Sequence, residues 1–219
     1  RIMKVVTFGE IMLRLASSDY LRLNQVDNLE VSYAGSEANV AVSLANYNVE
    51  TLFVTALPLN PLAERCIEVL RGKNVDVSGI SRSGSRIGIL YLETGSNMRP
   101  SKVFYDREHS SLAEIEPNII PWDNIFQGAT WFHWSGITPA ISERAANECL
   151  KAVKLAHNLG LTISCDLNYR KTLWNYGKAP STIMAELVGY CDLIIGNEDD
   201  CKNIFGVSPV NEKSLDTDD

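Results

Sequence analysis

No apolar run in the 219 residues approaches the ~20 that a membrane-spanning helix needs. No long Lys/Arg run occurs either, and the formal net charge is −7. Both features argue against nucleic acid or an anionic membrane surface as a partner. The three histidines, His109, His133 and His157, stand far apart, and none of the five cysteines has CxxC spacing. That argues against zinc, and the odd thiol count argues against a disulfide framework. Reduced, buried thiols in a cytoplasmic protein are the expectation. The strand-like run Val5-Val6-Thr7-Phe8 comes almost at once, so no secretory leader is expected. There is no internal repeat and no low-complexity tract.

What the chain does have is enough apolar residues, 45%, for one sizeable core. Short apolar runs at Lys4 to Phe8, Thr51 to Thr55, Thr130 to Trp134, Thr162 to Cys165 and Asp192 to Ile195 alternate with helical patterns. The helical stretches are Ser36 to Tyr47, Leu62 to Arg71, Ser142 to Leu159 and Ser181 to Val188. In the third, Ala145, Cys149, Val153 and Ala156 repeat at helical spacing between a Ser142 cap and a Gly160 stop. Continuous apolar strands separated by helices predict an α/β fold, a parallel sheet with helices on both faces.

Two stretches break that rhythm. Leu21 to Tyr33 alternates polar and apolar residues, and Arg86 to Glu93 and Lys102 to Arg107 read as a hairpin around Thr94-Gly95-Ser96-Asn97. These predict a small antiparallel sheet inserted at about 12–33 and 86–107, standing beside the main domain as a lid. By parity Ile87, Ile89 and Tyr91 share one face of a strand, and Val103, Tyr105 and Arg107 share one face of the next. Two tyrosines and an arginine would then point at one site. The alternative is an ordinary solvated hairpin with aromatic cross-strand pairs.

In an open α/β sheet, ligands bind outside the carboxyl ends of the strands. Those ends read Gly9-Glu10, Ala34-Gly35-Ser36-Glu37-Ala38-Asn39 before the first helix, Ser135-Gly136-Ile137-Thr138, Asp166-Leu167-Asn168-Tyr169-Arg170 and Gly196-Asn197-Glu198-Asp199-Asp200. Small and polar residues gather at each. That suits a polyhydroxylated ligand, which needs close backbone approach and many hydrogen-bond partners.

The stretch Tyr33 to Ala41 resembles the glycine-containing signature of the ribokinase-like (PfkB) carbohydrate kinases. Val103 to Arg107, His133 to Thr138, and Asp166 to Arg170 with Leu173-Trp174 look most like the 2-keto-3-deoxygluconate kinases within that family. The resemblance implies a Rossmann-like domain with a β-sheet lid, and transfer of the ATP γ-phosphoryl to a sugar hydroxyl with Mg2+. It implies that Gly35, Ser36 and Asn39 hold sugar hydroxyls, that Tyr91, Tyr105 and Arg107 reach down from the lid, and that Ile137 touches the sugar. Arg170 would meet an anionic or keto group, and Asn168, Asn197 and Asp200 would face phosphate and magnesium without ligating the metal directly. It also implies a homodimer through the lid sheet.

Three departures from the family pattern stand out. Asn197-x-x-Asp200 replaces the usual Asn-x-x-Glu, and Leu59 stands where an aspartate is usual. The Gly-Ala-Gly-Asp segment that cradles the phosphates and supplies the catalytic base does not occur. Residues 1–219 are therefore expected to be the N-terminal part of one such domain, inactive alone, with the nucleotide-binding part and the base aspartate beyond Asp219. Arg107 and Arg170 favour a sugar acid over a neutral sugar, because only an acid needs paired arginines. A sibling kinase of fructose, ribose or 5-dehydro-2-deoxygluconate, or a fragment that binds sugar without catalysis, remain as alternatives.

Overall fold

The computed structural model describes residues 3–208. The chain opens with β1 (Lys4–Phe8), β2 (Met12–Ser17) and β3 (Leu29–Ala34), then enters α1 (Ser36–Asn46). Next come β4 (Glu50–Leu57), α2 (Pro61–Arg71) and β5 (Ile80–Arg82), followed by β6 (Ile89–Glu93) and β7 (Lys102–Asp106). The second half runs α3 (Trp122–Ile125), β8 (Trp131–Ser135), α4 (Ile137–Ile141) and α5 (Glu143–Asn158), then β9 (Thr162–Asp166), α6 (Pro180–Val188), β10 (Leu193–Ile195) and α7 (Glu198–Phe205).

Local chemistry sets the helix starts. The Asn60 side chain accepts the Ala63 amide at 2.9 Å and Pro61 follows at the first helical position, fixing the entry to α2. The Ser142 hydroxyl does the same for α5 through the Ala145 amide at 3.1 Å. Along α5 the buried residues apart from Glu148 are small: Ala145, Ala146, Cys149, Ala152, Val153 and Ala156. A stripe of small side chains lets the helix lie close on the sheet, and each leaves little cavity to fill.

Among the described residues, six strands form the main sheet in the order β10-β9-β8-β1-β4-β5, every neighbouring pair parallel. One face packs Val6, Phe8, Phe132, Trp134 and Ile163 against α5. The other packs Phe53 and Leu57 against Ala38, Ala41, Ala63, Cys66 and Leu70 of α1 and α2. Each large apolar side chain buried this way contributes roughly 1.5–3 kcal/mol. This is the doubly covered parallel sheet that the apolar runs predict.

The small sheet has the order β3-β2-β6-β7 and differs from the expectation in two ways. It is mixed: β2 pairs β3 antiparallel and β6 pairs β7 antiparallel, but β2 and β6 run parallel. The reason lies in the main sheet. β2 leaves the carboxyl end of β1 and β6 leaves the carboxyl end of β5, so both set out in the same direction. The second difference concerns residues 21–28, which carry only a 3-10 turn at Leu23–Gln25 and no strand. Met12–Ser17 supplies the central strand instead.

The aromatic cluster under the sheet tests the packing argument. Trp122 is fully buried, with ring centroids 5.1 Å from Phe8 and Phe126 and 5.8 Å from Phe132. Its indole Nε1 donates to the buried Glu148 carboxylate at 2.6 Å. Trp122→Ala should cost about 3–5 kcal/mol through the cavity. Trp122→Phe should still cost about 1–3 kcal/mol, because it strands the Glu148 carboxyl without its donor. Urea denaturation of both variants checks this; a Phe variant as stable as wild type would show that the indole bond contributes nothing.

Candidate functional site

The carboxyl ends of the main sheet and the small sheet above them enclose a cavity of about 820 Å³. Its floor begins at the N-terminus of α1. Gly35 is the N-cap and has no side chain to satisfy the first-turn amides. A Cβ at Gly35 would fall 2.2 Å from the Glu10 carbonyl oxygen, so no larger residue fits. Ser36 and Asn39 line the cavity from the same turn, as does Ile137 at the start of α4. Gly136 is held equally closely: a Cβ there would lie 2.1 Å from the Leu167 carbonyl.

Asn168 and Arg170 enter from the loop after β9, and Tyr105 and Arg107 from β7 and just beyond it. The guanidinium carbon of Arg107 lies 5.6 Å from the Tyr105 ring centroid. Eight of the eleven residues singled out in the sequence thus share one cavity.

Tyr91, Asn197 and Asp200 do not line it. In the β6–β7 ladder Tyr91 pairs with Phe104 and Leu90 with Tyr105. Directly paired residues share a face, so Tyr91 and Tyr105 point to opposite sides of the small sheet. Each within-strand parity reading stands, but the register joining the two strands puts the tyrosines on different faces. Tyr91 faces a shallow depression with Arg22 and Phe104 instead. Asn197 caps α7, its side chain accepting the Asp200 amide at 2.8 Å. The Asp200 carboxylate returns to the Asn197 amide at 3.2 Å through one oxygen and takes the Tyr169 amide at 3.0 Å through the other. Both oxygens are therefore engaged in holding the two loops at the ends of β9 and β10 together. The replacement of Glu by Asp in this motif suits a tight capping box.

Three acidic groups were not assigned a role in the sequence. Glu10 lies in the floor, 5% exposed, paired with Arg107 and accepting from the Ser110 hydroxyl. Asp166 closes β9 half-buried; burial raises its pKa and the neighbouring Asp200 charge raises it further, while Arg170 opposes the shift. Glu37 is 1% exposed in the first turn of α1, and its Oε1 has no hydrogen-bond partner among the described residues. The only sequence signal for Glu10 and Glu37 is a carboxylate beside a strand-end glycine. The carboxyl of Glu37 rests on Gly9, where a Cβ would come 1.9 Å from Oε2. Trp174 also lines the cavity, its amide bonded to the Ala140 carbonyl at 3.0 Å, so it both holds its loop and forms wall. Among the described residues no group of three or more His, Cys, Asp or Glu is arranged to hold a metal ion.

Burial is the main cause that pushes the Glu37 carboxyl up to about 7; the Ser135 hydroxyl, its own amide and Arg107 pull it down, and Asp166 adds to the rise. In the unfolded chain it would titrate near its ordinary 4.5. Below that pH both states carry the proton. Between 4.5 and about 7 the unfolded state ionises first, so native stability falls as pH rises, by about 3 kcal/mol in all. The neutral isostere Glu37→Gln should remove this loss. Its melting temperature should gain on wild type progressively from pH 4.5 to about 7 and hold a constant lead above that. A lead independent of pH across the window would refute the assignment.

Residues 3–216 match the model of the pfkB family carbohydrate kinases. A 2-dehydro-3-deoxygalactonokinase of Haloferax volcanii is 32% identical over 202 residues, which is 92% of this chain and 63% of that protein. A 2-dehydro-3-deoxygluconokinase of Bacillus subtilis is 29% identical over 189 residues, 85% of this chain and 58% of that protein. The crystal structure of the 2-dehydro-3-deoxygluconokinase of Thermotoga maritima superposes with a TM-score of 0.91 at 46% identity, over 94% of this chain and 63% of that one. The chain thus spans less than two thirds of the length of these relatives. With its parallel sheet, its strand-end cavity and a family match over nearly its whole length, the chain belongs to the pfkB family of carbohydrate kinases.

Proposed function

We propose that this chain forms the sugar-binding part of an ATP-dependent kinase that phosphorylates a hydroxyl of a sugar acid, converting 2-keto-3-deoxygluconate to its 6-phosphate. The observation that carries this reading is Arg170. It lines the cavity, it is exposed, and its one hydrogen bond among the described residues goes to the Tyr169 carbonyl at 2.9 Å. No carboxylate among the described residues forms an ion pair with it, so a planar donor fork stands free beside a surface built for hydroxyls. The names of the related enzymes support the same substrate class.

Gly35, Ser36 and Asn39 would hold the sugar hydroxyls, Tyr105 and Arg107 would cover them, and Ile137 would pack on the carbon skeleton. Bound ATP would supply the phosphoryl group and Mg2+ would neutralise its charge. The residues at the ends of β9 and β10 fit that pairing only indirectly. Asp200 has both oxygens engaged, so Asn168, Asn197 and Asp200 would face the phosphates and the ion through water. The repulsion between Asp166 and Asp200 is the kind of charge a nearby cation relieves. The base that takes the hydroxyl proton is the aspartate of the Gly-Ala-Gly-Asp segment, which residues 1–219 do not contain. Buried free thiols such as Cys66, Cys149 and Cys165 suit a reducing, cytoplasmic location.

The substrate assignment is tested by charge. A charged hydrogen bond contributes on the order of 1.5–3 kcal/mol, so Arg170→Ala should lower kcat/KM for 2-keto-3-deoxygluconate about tenfold to a hundredfold. Fructose, which has no carboxylate, should change much less. The assay uses a chain extended to the length of the relatives, with residues 1–219 alone as the inactive control. Equal losses on both sugars, or a wild type that prefers fructose, would move the assignment to a neutral-sugar kinase.

The homodimer is proposed through the small sheet. Val31, Leu15, Tyr91 and Phe104 form one cross-strand row, and its two ends, Val31 and Phe104, are 60% and 52% exposed. Soluble proteins tend to cover such a row. Val31→Asp should turn a dimer into a monomer in sedimentation equilibrium, and a monomeric wild type would overturn the proposal.

A further inference from the structure

The two arginines of the cavity are in different electrostatic states, and one carboxylate makes the difference. Glu10 follows directly on β1 and is 5% exposed. One of its oxygens takes the Arg107 Nη2 and the other takes the Ser110 hydroxyl. Arg107 is 9% exposed and Ser110 is 2% exposed, so both bonds are shielded from water. The Ser110 hydroxyl also accepts the Ala113 amide at 3.3 Å, and the Ser111 amide bonds the Arg86 carbonyl at 2.9 Å. The segment that leaves the lid after β7 is therefore tied at its start to the Glu10 carboxylate, ahead of the points where the Ser142 hydroxyl donates to the Ala113 carbonyl at 2.7 Å and Leu112 and Ile115 enter the core.

The backbone is built around that anchor. A Cβ at Gly88 would stand 3.1 Å from the Glu10 Oε1 and 3.2 Å from the Arg107 Cβ, so glycine at the foot of β6 lets the lid approach the pair. Gly35 presses on the Glu10 carbonyl from the other side. The first strand, both lid hairpins and the start of α1 thus converge on Glu10. The Arg107 Nε, buried and without a hydrogen-bond partner among the described residues, is left as a donor at the cavity wall.

We propose that Glu10 is a positioning residue for the sugar site: it pins Arg107 and the segment through Ser110 to the sheet, and it balances the charge of Arg107 so that charge selection falls to Arg170. The proposal rests on the sugar-acid reading above. Two charges held out of water at contact distance offset one another. A ligand near Arg107 meets a hydrogen-bond donor with little net charge, whereas a ligand near Arg170 meets a cation that makes no ion pair among the described residues and feels Asp166 only at longer range.

The consequence is a pair of opposite shifts. In the full-length enzyme, Glu10→Gln leaves Arg107 uncompensated, so the ratio of kcat/KM for 2-keto-3-deoxygluconate to that for fructose should rise about three- to tenfold even as both values fall. Arg170→Ala should lower the same ratio. The double variant Glu10→Gln/Arg107→Ala should have the same substrate ratio as Arg107→Ala alone, because the charge effect of Glu10 acts through Arg107. A purely structural Glu10 would leave the ratio unchanged and its loss would add to that of Arg107.

Hydrogen exchange reads the pinning without reference to catalysis. Amides 110–113 should exchange about tenfold faster in Glu10→Gln while the strands of the main sheet keep their protection. A wild type that phosphorylates neither sugar would end the kinase reading and leave the exchange result to decide the anchor. An unchanged or lowered ratio overturns the charge assignment, and unchanged exchange at 110–113 overturns the pinning. Should Glu10→Gln fail to fold, Glu10→Asp keeps the charge and shortens the reach. It should lower kcat/KM for both sugars and leave their ratio at the wild-type value, and a raised ratio there would overturn the proposal.

Discussion

Every strand of the main sheet runs the same way, and the rest of the molecule follows from that. Parallel strands bring their carboxyl ends to one edge, and the backbone groups there have no further strand to satisfy them. The lid strands β2 and β6 leave from that edge, which is why the small sheet stands over the cavity and why its two central strands are parallel. The same edge gathers Gly35, Ile137, Asn168 and Arg170 from loops more than 30 residues apart in places. A sheet with one reversed strand would scatter them to opposite ends.

The carboxyl end of the sheet gathers negative charge, part of it in the cavity wall and part beside it. Glu10 is ionically paired, Glu37 is buried without a full set of partners, and Asp166 and Asp200 crowd one another at the ends of β9 and β10. Charge arranged this way costs stability and gives this end of the sheet definite electrostatic preferences. Burial raises the Glu37 carboxyl to about 7, and the Ser135 hydroxyl, its own amide and Arg107 only partly offset it. Asp200 shows the opposite solution. Its oxygens accept from backbone amides, and those bonds join two loops.

Glycine marks the points where these elements touch. Gly35 and Gly136 lie against carbonyl oxygens of neighbouring segments at distances no Cβ tolerates. Closeness at the strand ends is therefore a property of the backbone, and the polar side chains are arranged around it. That is the geometry a polyhydroxylated ligand requires, since its hydroxyls must reach both main-chain and side-chain partners.

By itself the sequence determined the alternation of strands and helices, because a doubly covered strand must be apolar throughout and a covered helix must repeat at its own period. It also pointed to the end of the sheet where the cavity lies, since the small and polar residues cluster after each apolar run. It did not determine how separate strands are paired. Parity within β6 and within β7 is local, but the register that sets Tyr91 opposite Phe104 is a long-range property, and it puts Tyr91 and Tyr105 on different faces. Nor could spacing reveal that Arg107 forms a buried ion pair while Arg170 forms none among the described residues. Their partners are decided by where Glu10 lies in space, 97 residues earlier in the chain, and only the folded sheet brings that carboxylate to the foot of the lid.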